Sequence, residues 1–337
     1  MSGKRWAALG IAAALLIFSI VINTFTTIFS KDFQETMGEF MNPTSDLMNE
    51  EIIEEGNARK KIVVLDVNGT IQDTGEPSSI FATVGYNHQD FLENLDAAKE
   101  DSSVKGMIIR VNTPGGGVVE SAQIHDKIVE IQEETKKPVY ISMGSMAASG
   151  GYYISAPANK IFASPETLTG SLGVIMQGIN YAGLAEKYGV KFETIKSGEF
   201  KDIMSPSREM TEEERAILQD MINNSYDGFV KVISEGRDMD EDKVRRIADG
   251  RIYDGRQAKE LNLIDGFGYF ETVVDEMQKD YKLEDAQVIK YTEDLGFGSL
   301  FGMSARQLIG QDDVELAGLL QLLSQQNSPR LMYLYAE

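Results

Sequence analysis

The stretch Met143-Gly-Ser-Met-Ala-Ala-Ser149-Gly-Gly-Tyr-Tyr153 sets one hydroxyl between Ala148 and Gly150, among small residues. An apolar run, Pro138 to Met143, leads in and predicts a buried strand; a helical pattern, Tyr152 to Ala156, leads out. A serine on a strand-to-helix turn is well placed to act as a nucleophile. The backbone N–H after it is free to hold an oxyanion, and a helix N-terminus favours negative charge there. The same residues also describe a plain glycine-rich turn with a capping serine, so the rest of the chain has to decide.

A serine nucleophile needs a base. The chain has no cysteine and two histidines, His88 and His125. His125 falls in a helical pattern with Ile124, Ile128 and Ile131, and both histidines read as structural. No His-x-x-x-His pair exists for a zinc site. A carboxylate is a weak base for a serine. Lysine remains, provided burial lowers its pKa from about 10.4 toward neutrality. Lys160, Lys196 and Lys201 stand at strand ends near small-residue turns, and sequence physics does not choose among them. A second turn, Thr113-Pro-Gly-Gly-Gly117, offers backbone amides to a ligand or is an ordinary strand-to-helix connection. No Gly-Lys-Ser/Thr follows it, which excludes a phosphate loop.

These turns need strands and helices to hold them. Lys61 to Val67 predicts a strand, Gln89 to Lys99 a helix and Gly106 to Asn112 a second strand, the unit of a parallel sheet. A helix over Val118 to Lys136 follows. The alternation continues through strand Lys160 to Ala163, the turn Leu168 to Val174, helix Tyr181 to Tyr188 and strand Val190 to Ile195. Thr211-Glu-Glu-Glu214 is a capping box opening a long helix with an apolar stripe from Ile217 to Ile233. Helical pieces over Glu241–Ala248, Asp254–Leu261 and Phe270–Tyr281 and a strand over Gln287–Tyr291 complete the pattern. The expectation is an α/β layered fold with a C-terminal helical extension and its ligand site at the strand C-termini.

Trp6 to Ser30 carries no charge and as a helix would span about 37 Å, more than the apolar core of a bilayer. Lys4 and Arg5 precede it and Asp32, Glu35 and Glu39 follow, which predicts one transmembrane helix with a cytoplasmic N-terminus. A cleaved signal peptide is the rival; its apolar core is shorter, and no Ala-x-Ala site follows. The expected organisation is a cytoplasmic N-terminus at 1–5, an anchor at 6–30, an acidic stalk at 31–60, an α/β domain at 61–295 and an apolar tail at 296–337. The net charge of −21 argues against nucleic acid as a partner. The missing cysteines exclude disulfides and thiolate metal sites and suit an oxidising compartment.

Further pieces recur in order: Thr169-Gly-Ser-Leu-Gly-Val174, Gly198-Glu-Phe-Lys-Asp202 with Ser205-Pro206, and Ala248-Asp-Gly-Arg-Ile-Tyr-Asp-Gly255 with Ala258 and Leu263-Ile-Asp265. With the two glycine turns, they make the chain resemble the signal peptide peptidase A family, in its short, single-repeat bacterial form. The resemblance implies a crotonase-like fold shared with Clp-type proteases. It implies a Ser–Lys dyad of Ser149 as nucleophile and Lys201 as base, with Ser171 orienting the lysine. Gly116 and Gly150 match the oxyanion-hole donors. It further implies a serine endopeptidase of the bacterial cell membrane, single-pass, with its catalytic domain outside the cytoplasm and no cofactor or metal. Its substrates would be remnant signal peptides and other unfolded apolar peptides. Its assembly would be a dome-shaped homo-oligomer, an octamer, with each dyad drawn from two neighbouring chains. An extended peptide is expected beside Gly117, Val118 and Val119. The tail Leu331 to Tyr335 is expected either to dock on the core or a neighbour, or to enter an active site. A crotonase-like acyl-CoA enzyme and a non-catalytic membrane scaffold are the alternatives.

Overall fold

Ile62, Val63 and Val64 are consecutive and have no exposed surface. Successive side chains of a strand point to opposite faces, so this strand is covered on both. The computed structural model describes residues 49–73, 86–292 and 331–335, and places these residues in β2 (Asn57–Asn68). Parallel partners flank it: β3 (Val104–Thr113) on one side and β10 (Ala286–Thr292) on the other. Beyond β3 come β5 (Val139–Ala148), β6 (Lys160–Ala163) and β9 (Gly266–Phe267); beyond β10 lies β1 (Asn49–Glu54).

Ile62, Val64, Ile108 and Tyr140 join Val273, Val274 and Met277 of helix α8 (Phe270–Tyr281) in one buried cluster. The intervening Val63, Leu65, Met107, Ile109 and Ile141 are equally buried on the other face. There α1 (His88–Glu100) and α2 (Val118–Thr135) pack against the sheet and each other, α2 through Ile124, Ile128 and Ile131. Helices on both faces of a mainly parallel sheet make a three-layer α/β domain.

β5 forks. Its first half pairs with β6 at Tyr140–Ser142, and its end pairs with β7 (Leu168–Gly170) at Met146–Ala148. β7 in turn pairs antiparallel with β8 (Ile252–Asp254). The fork carries the end of β5 away from β6 and leaves it between β3 and β7, where Ser149 follows. The helical extension is present as α5 (Glu212–Arg237), α6 (Glu241–Ile247), α7 (Gly255–Glu260) and α8, and Thr211 forms the expected capping box with Glu214.

Two expectations change. Residues 49–60 were assigned to the stalk, yet they form β1 and the start of β2. Ile52 and Ile53 are adjacent rather than alternating, at a sheet edge where both remain partly exposed, so no period of two marks the strand. Val190–Ile195 is not a strand; it follows the short helix α4 (Ala182–Lys187) as irregular chain. Val190, Phe192 and Ile195 stay exposed there because no sheet edge meets them. Within the expected tail, Met332–Leu334 forms β11. No helix among the described residues is long and apolar enough to cross a membrane, and the expected anchor at 6–30 lies outside the described residues.

Candidate active site

Ser149 stands between β5 and the short helix α3 (Gly150–Ser155) with φ 52° and ψ −114°. A non-glycine residue in that region carries strain, and such strain concentrates at functional turns. The turn is pinned on both sides. Ser149 N–H donates to Gly170 O at 2.8 Å, and Ser149 O accepts from the N–H groups of Tyr152 and Tyr153 at 2.9 Å. The hydroxyl itself is buried, and Ser149 Oγ has no hydrogen-bond partner among the described residues. A buried unpaired hydroxyl costs about 1–3 kcal/mol, which marks this one as waiting for a partner.

The second glycine turn lies directly against it. Gly115–Gly117 forms strand β4. Gly115 has φ 101°, and a Cβ there would fall 2.0 Å from Tyr333 O and 2.6 Å from Gly150 N. A Cβ on Gly150 would sit 2.7 Å from Ser121 Oγ, 3.1 Å from Gly116 N and 3.1 Å from Tyr333 O. Only bare backbone fits here, and it gathers the amides of Gly116 and Gly150 around one point. Ile71 holds β4 in place: its N–H donates to Gly115 O at 2.9 Å, and its carbonyl accepts from Gly117 N at 2.8 Å.

A peptide occupies this turn, and it is the chain's own tail. β11 pairs antiparallel with β4, with Met332, Tyr333 and Leu334 opposite Gly117, Gly116 and Gly115. Tyr335 N–H donates to Pro114 O at 2.9 Å. Antiparallel bonding repeats every second residue, so Tyr333 and Gly116 face each other in the same bonded phase. The other edge of the tail is also taken: Met332 and Ile175 exchange N–H···O bonds of 3.0 Å in both directions. The Tyr333 ring is buried, stacked 4.8 Å from Tyr153 and tilted 4.7 Å from Phe229, and its hydroxyl donates to Ser225 O at 3.0 Å. Beside Leu331 opens a cavity of about 380 Å³ lined also by Asp73, Gly117, Val118, Val119, Glu120 and Gln123.

The groove was expected along Gly117, Val118 and Val119, but the paired strand is Gly115–Gly117. Helix α2 begins at Val118 and ends the ladder there; Val118 and Val119 line the cavity instead. Ser171 follows Gly170, whose carbonyl accepts the Ser149 amide, and it too has a positive φ of 50°. Lys201 does not reach Ser149 within the chain: it is exposed in the turns following Ser197, and Ser149 Oγ lacks any bond to it. Neither histidine approaches the serine hydroxyl. His88 bonds Tyr86 at 2.7 Å and Gln123 at 2.8 Å; His125 bonds Asp126 at 2.9 Å. Among the described residues no cluster of acidic or histidine side chains could hold a metal ion. The sequence reading missed Ile71, Ile175 and the aromatic pocket of Tyr153 and Phe229.

Residues 131–284 match the model of peptidase family S49, a span that includes the turn at Ser149. The chain is 46% identical over 306 residues to a protein of Enterococcus faecium that carries the provisional name signal peptide peptidase SppA, covering 89% of this chain and 88% of that one. It is 37% identical over 232 residues to a provisionally named protease of Methanocaldococcus jannaschii, covering 69% and 74% of the two chains. It is also 31% identical over 300 residues to Protease 4 of Haemophilus influenzae, covering 84% of this chain and 48% of that longer one. The chain belongs to the signal peptide peptidase A family of S49 serine peptidases. Peptidase chemistry, rather than acyl-CoA chemistry or a scaffold, is what these relatives support.

Proposed function

We propose that this protein is a membrane-anchored serine endopeptidase with a crotonase-like fold, which cleaves remnant signal peptides and other unfolded apolar peptides with a dyad of Ser149 and Lys201. The observation that carries this reading is the tail: a peptide lies extended on Gly115–Gly117 with the Tyr333 carbonyl beside the amides of Gly116 and Gly150. In the proposed reaction Lys201, as free amine, takes the Ser149 hydroxyl proton while Oγ attacks the scissile carbonyl carbon. The oxygen becomes an oxyanion held by the two amides. Collapse breaks the C–N bond, and the lysine proton passes to the leaving amine. Water, deprotonated by the same lysine, then attacks the acyl-enzyme, whose collapse returns the serine hydroxyl. Ser171 orients the lysine.

Each working dyad is assembled from two chains of a ring, the serine of one and the lysine of its neighbour. Support comes from the exposed Lys201 and from the apolar Ile179, Leu184, Tyr188, Val190, Phe192 and Ile195, all exposed in the segment before it. An exposed apolar segment of this length fits burial against a second copy of the chain. Residues 6–30 hold the ring to the bilayer, with the catalytic domain outside the cytoplasm.

The test is complementation. Ser149→Ala and Lys201→Ala chains are each inactive, and an equal mixture is denatured and reassembled. One interface in about four then pairs an intact serine with an intact lysine, by random placement in a closed ring, so roughly a quarter of wild-type activity returns. Mixed rings that contain both chains by native mass and remain inactive refute the shared site. A Lys201→Ala enzyme with near-wild-type turnover refutes the dyad.

A further inference from the structure

Lys201 lies in a run of tight turns. Its N–H donates to Gly198 O at 3.2 Å, Ile203 N–H to Phe200 O at 3.1 Å, and Ser205 N–H to Asp202 O at 2.9 Å. The chain before it is exposed and has no strand partner. A base must be held to within a fraction of an ångström of its proton, so something has to tie this turn to the body of the protein.

One side chain does so. Arg208 Nε donates to Asp202 Oδ2 and Arg208 Nη2 to Asp202 Oδ1, both at 2.8 Å, a bidentate fork on the residue next to Lys201. Nη2 also donates to the Asp202 carbonyl at 3.1 Å. On its far side Nη1 donates to Glu214 Oε2 at 2.8 Å and Nη2 to Glu214 Oε1. The last Nη1 proton goes to Glu209 O at 3.0 Å. All five donors of the guanidinium are engaged. Glu214 is buried in the capping box of α5, where its Oε2 accepts the Thr211 N–H at 2.9 Å. That helix runs 26 residues and buries Phe229, Val230 and Ile233 in the core. Lys196 closes the network, its Nζ 2.6 Å from both Asp202 Oδ1 and Glu199 O.

We infer that Arg208 is a positioning residue for the peptidase reaction: its guanidinium bridges buried Glu214 to Asp202 and so fixes the turn that presents Lys201 to the serine. This rests on Lys201 being the base. The bridge has a second effect. Both Asp202 oxygens are committed to Arg208 and Lys196, so the carboxylate beside Lys201 does not compete with the serine for its side chain. Arginine suits this bridge because its planar guanidinium presents a two-donor fork to each carboxylate, which a lysine ammonium lacks.

The experiment uses the full chain with Arg208→Ala, Arg208→Lys and Lys201→Ala, assayed on an internally quenched apolar peptide, with thermal melting and native mass as checks on folding and assembly. Arg208→Ala lowers kcat by about 10²-fold, the scale of a misplaced catalytic group, while KM changes less than about threefold, since none of the hydrogen-bond partners of Arg208 lies in β4. Arg208→Lys falls between, about tenfold down in kcat. Folded, assembled Arg208→Ala with kcat within about twofold of wild type overturns the inference, as does a loss of kcat and KM together that tracks a loss of assembly. If Arg208→Ala does not fold, Arg208→Lys decides, and an unchanged kcat for it overturns the inference. Lys201→Ala separates the two levels: inactive Lys201→Ala beside normal Arg208 variants removes the clamp alone, whereas active Lys201→Ala removes the dyad beneath it.

Discussion

The proposed function puts the tail strand and an incoming peptide in one groove, and Tyr333 is where that competition would be set. Its ring is 2% exposed and touches both Tyr153 and Phe229. Burying a side chain of that size contributes roughly 2–3 kcal/mol. The aromatic contacts add about 1 kcal/mol, and the ordering of the ring offsets a similar amount. Tyr333→Ala therefore weakens docking of the tail by about 3 kcal/mol, two decades in the equilibrium between seated and released tail. The assay is best run on the Ser149→Ala background, where nothing is cut. A fluorescent apolar peptide is titrated against Ser149→Ala and against Ser149→Ala/Tyr333→Ala, and binding is read by anisotropy. The double variant binds with a Kd lower by up to about 10²-fold, reaching that limit if the tail is seated nearly all the time. A chain ending at Arg330 binds at least as tightly as the double variant, because it has no tail strand to seat. Equal Kd values for all three chains would refute the reasoning, since a tail that excludes nothing is not in the peptide's place.

Two other outcomes follow from the same geometry. The Tyr333 carbonyl lies at the amides of Gly116 and Gly150, so an active enzyme that cuts its own tail severs the Tyr333–Leu334 bond. The intact mass of wild type then falls short of Ser149→Ala by Leu334-Tyr-Ala-Glu337, and masses differing by only the serine oxygen refute trimming. The Arg208 clamp predicts an acid signature. Hydrogen bonds from Arg208 and then from the Thr211 N–H hold the Glu214 carboxyl down from its ordinary 4.5 to about 2, and Arg208 and Lys196 hold Asp202 well below the usual carboxylate range. A lowered folded-state value stabilises above the unfolded one and is lost as pH falls through the folded one. Wild type should melt above Glu214→Gln at pH 7, with the gap closing between about pH 4.5 and pH 2; a gap independent of pH would refute the charge of Glu214 as its source.

The centre of the sheet was legible because its strands are buried on both faces and appear as unbroken apolar runs such as Ile62–Leu65 and Met107–Ile109. Ser149 was legible as a hydroxyl between Ala148 and Gly150 in the small-residue turn that follows such a run. Its strain was not, since φ 52° is imposed by the hydrogen bond to Gly170 and by the fork of β5. That the tail pairs with Gly115–Gly117 was not legible, because the glycines look alike in sequence. The positive φ of Gly115 and the start of α2 at Val118 decide which of them pair. Val190–Ile195 has a strand's composition but no edge to join, and composition cannot report a missing partner. The Arg208 clamp was invisible for the opposite reason: Asp202, Arg208 and Glu214 look like ordinary surface charges until the cap of α5 buries one of them.

The seated tail is bonded along both of its edges, to β4 on one side and Ile175 on the other. Whatever takes its place must offer donors and acceptors left and right at once. A helix has spent all of these on itself, and a strand inside a sheet has spent them on its neighbours. Even an edge strand has only one side to give. On the proposed function, the groove therefore tests the freedom of a backbone before it tests any side chain, and a protein would gain protection from it by folding, with no need of a protective sequence.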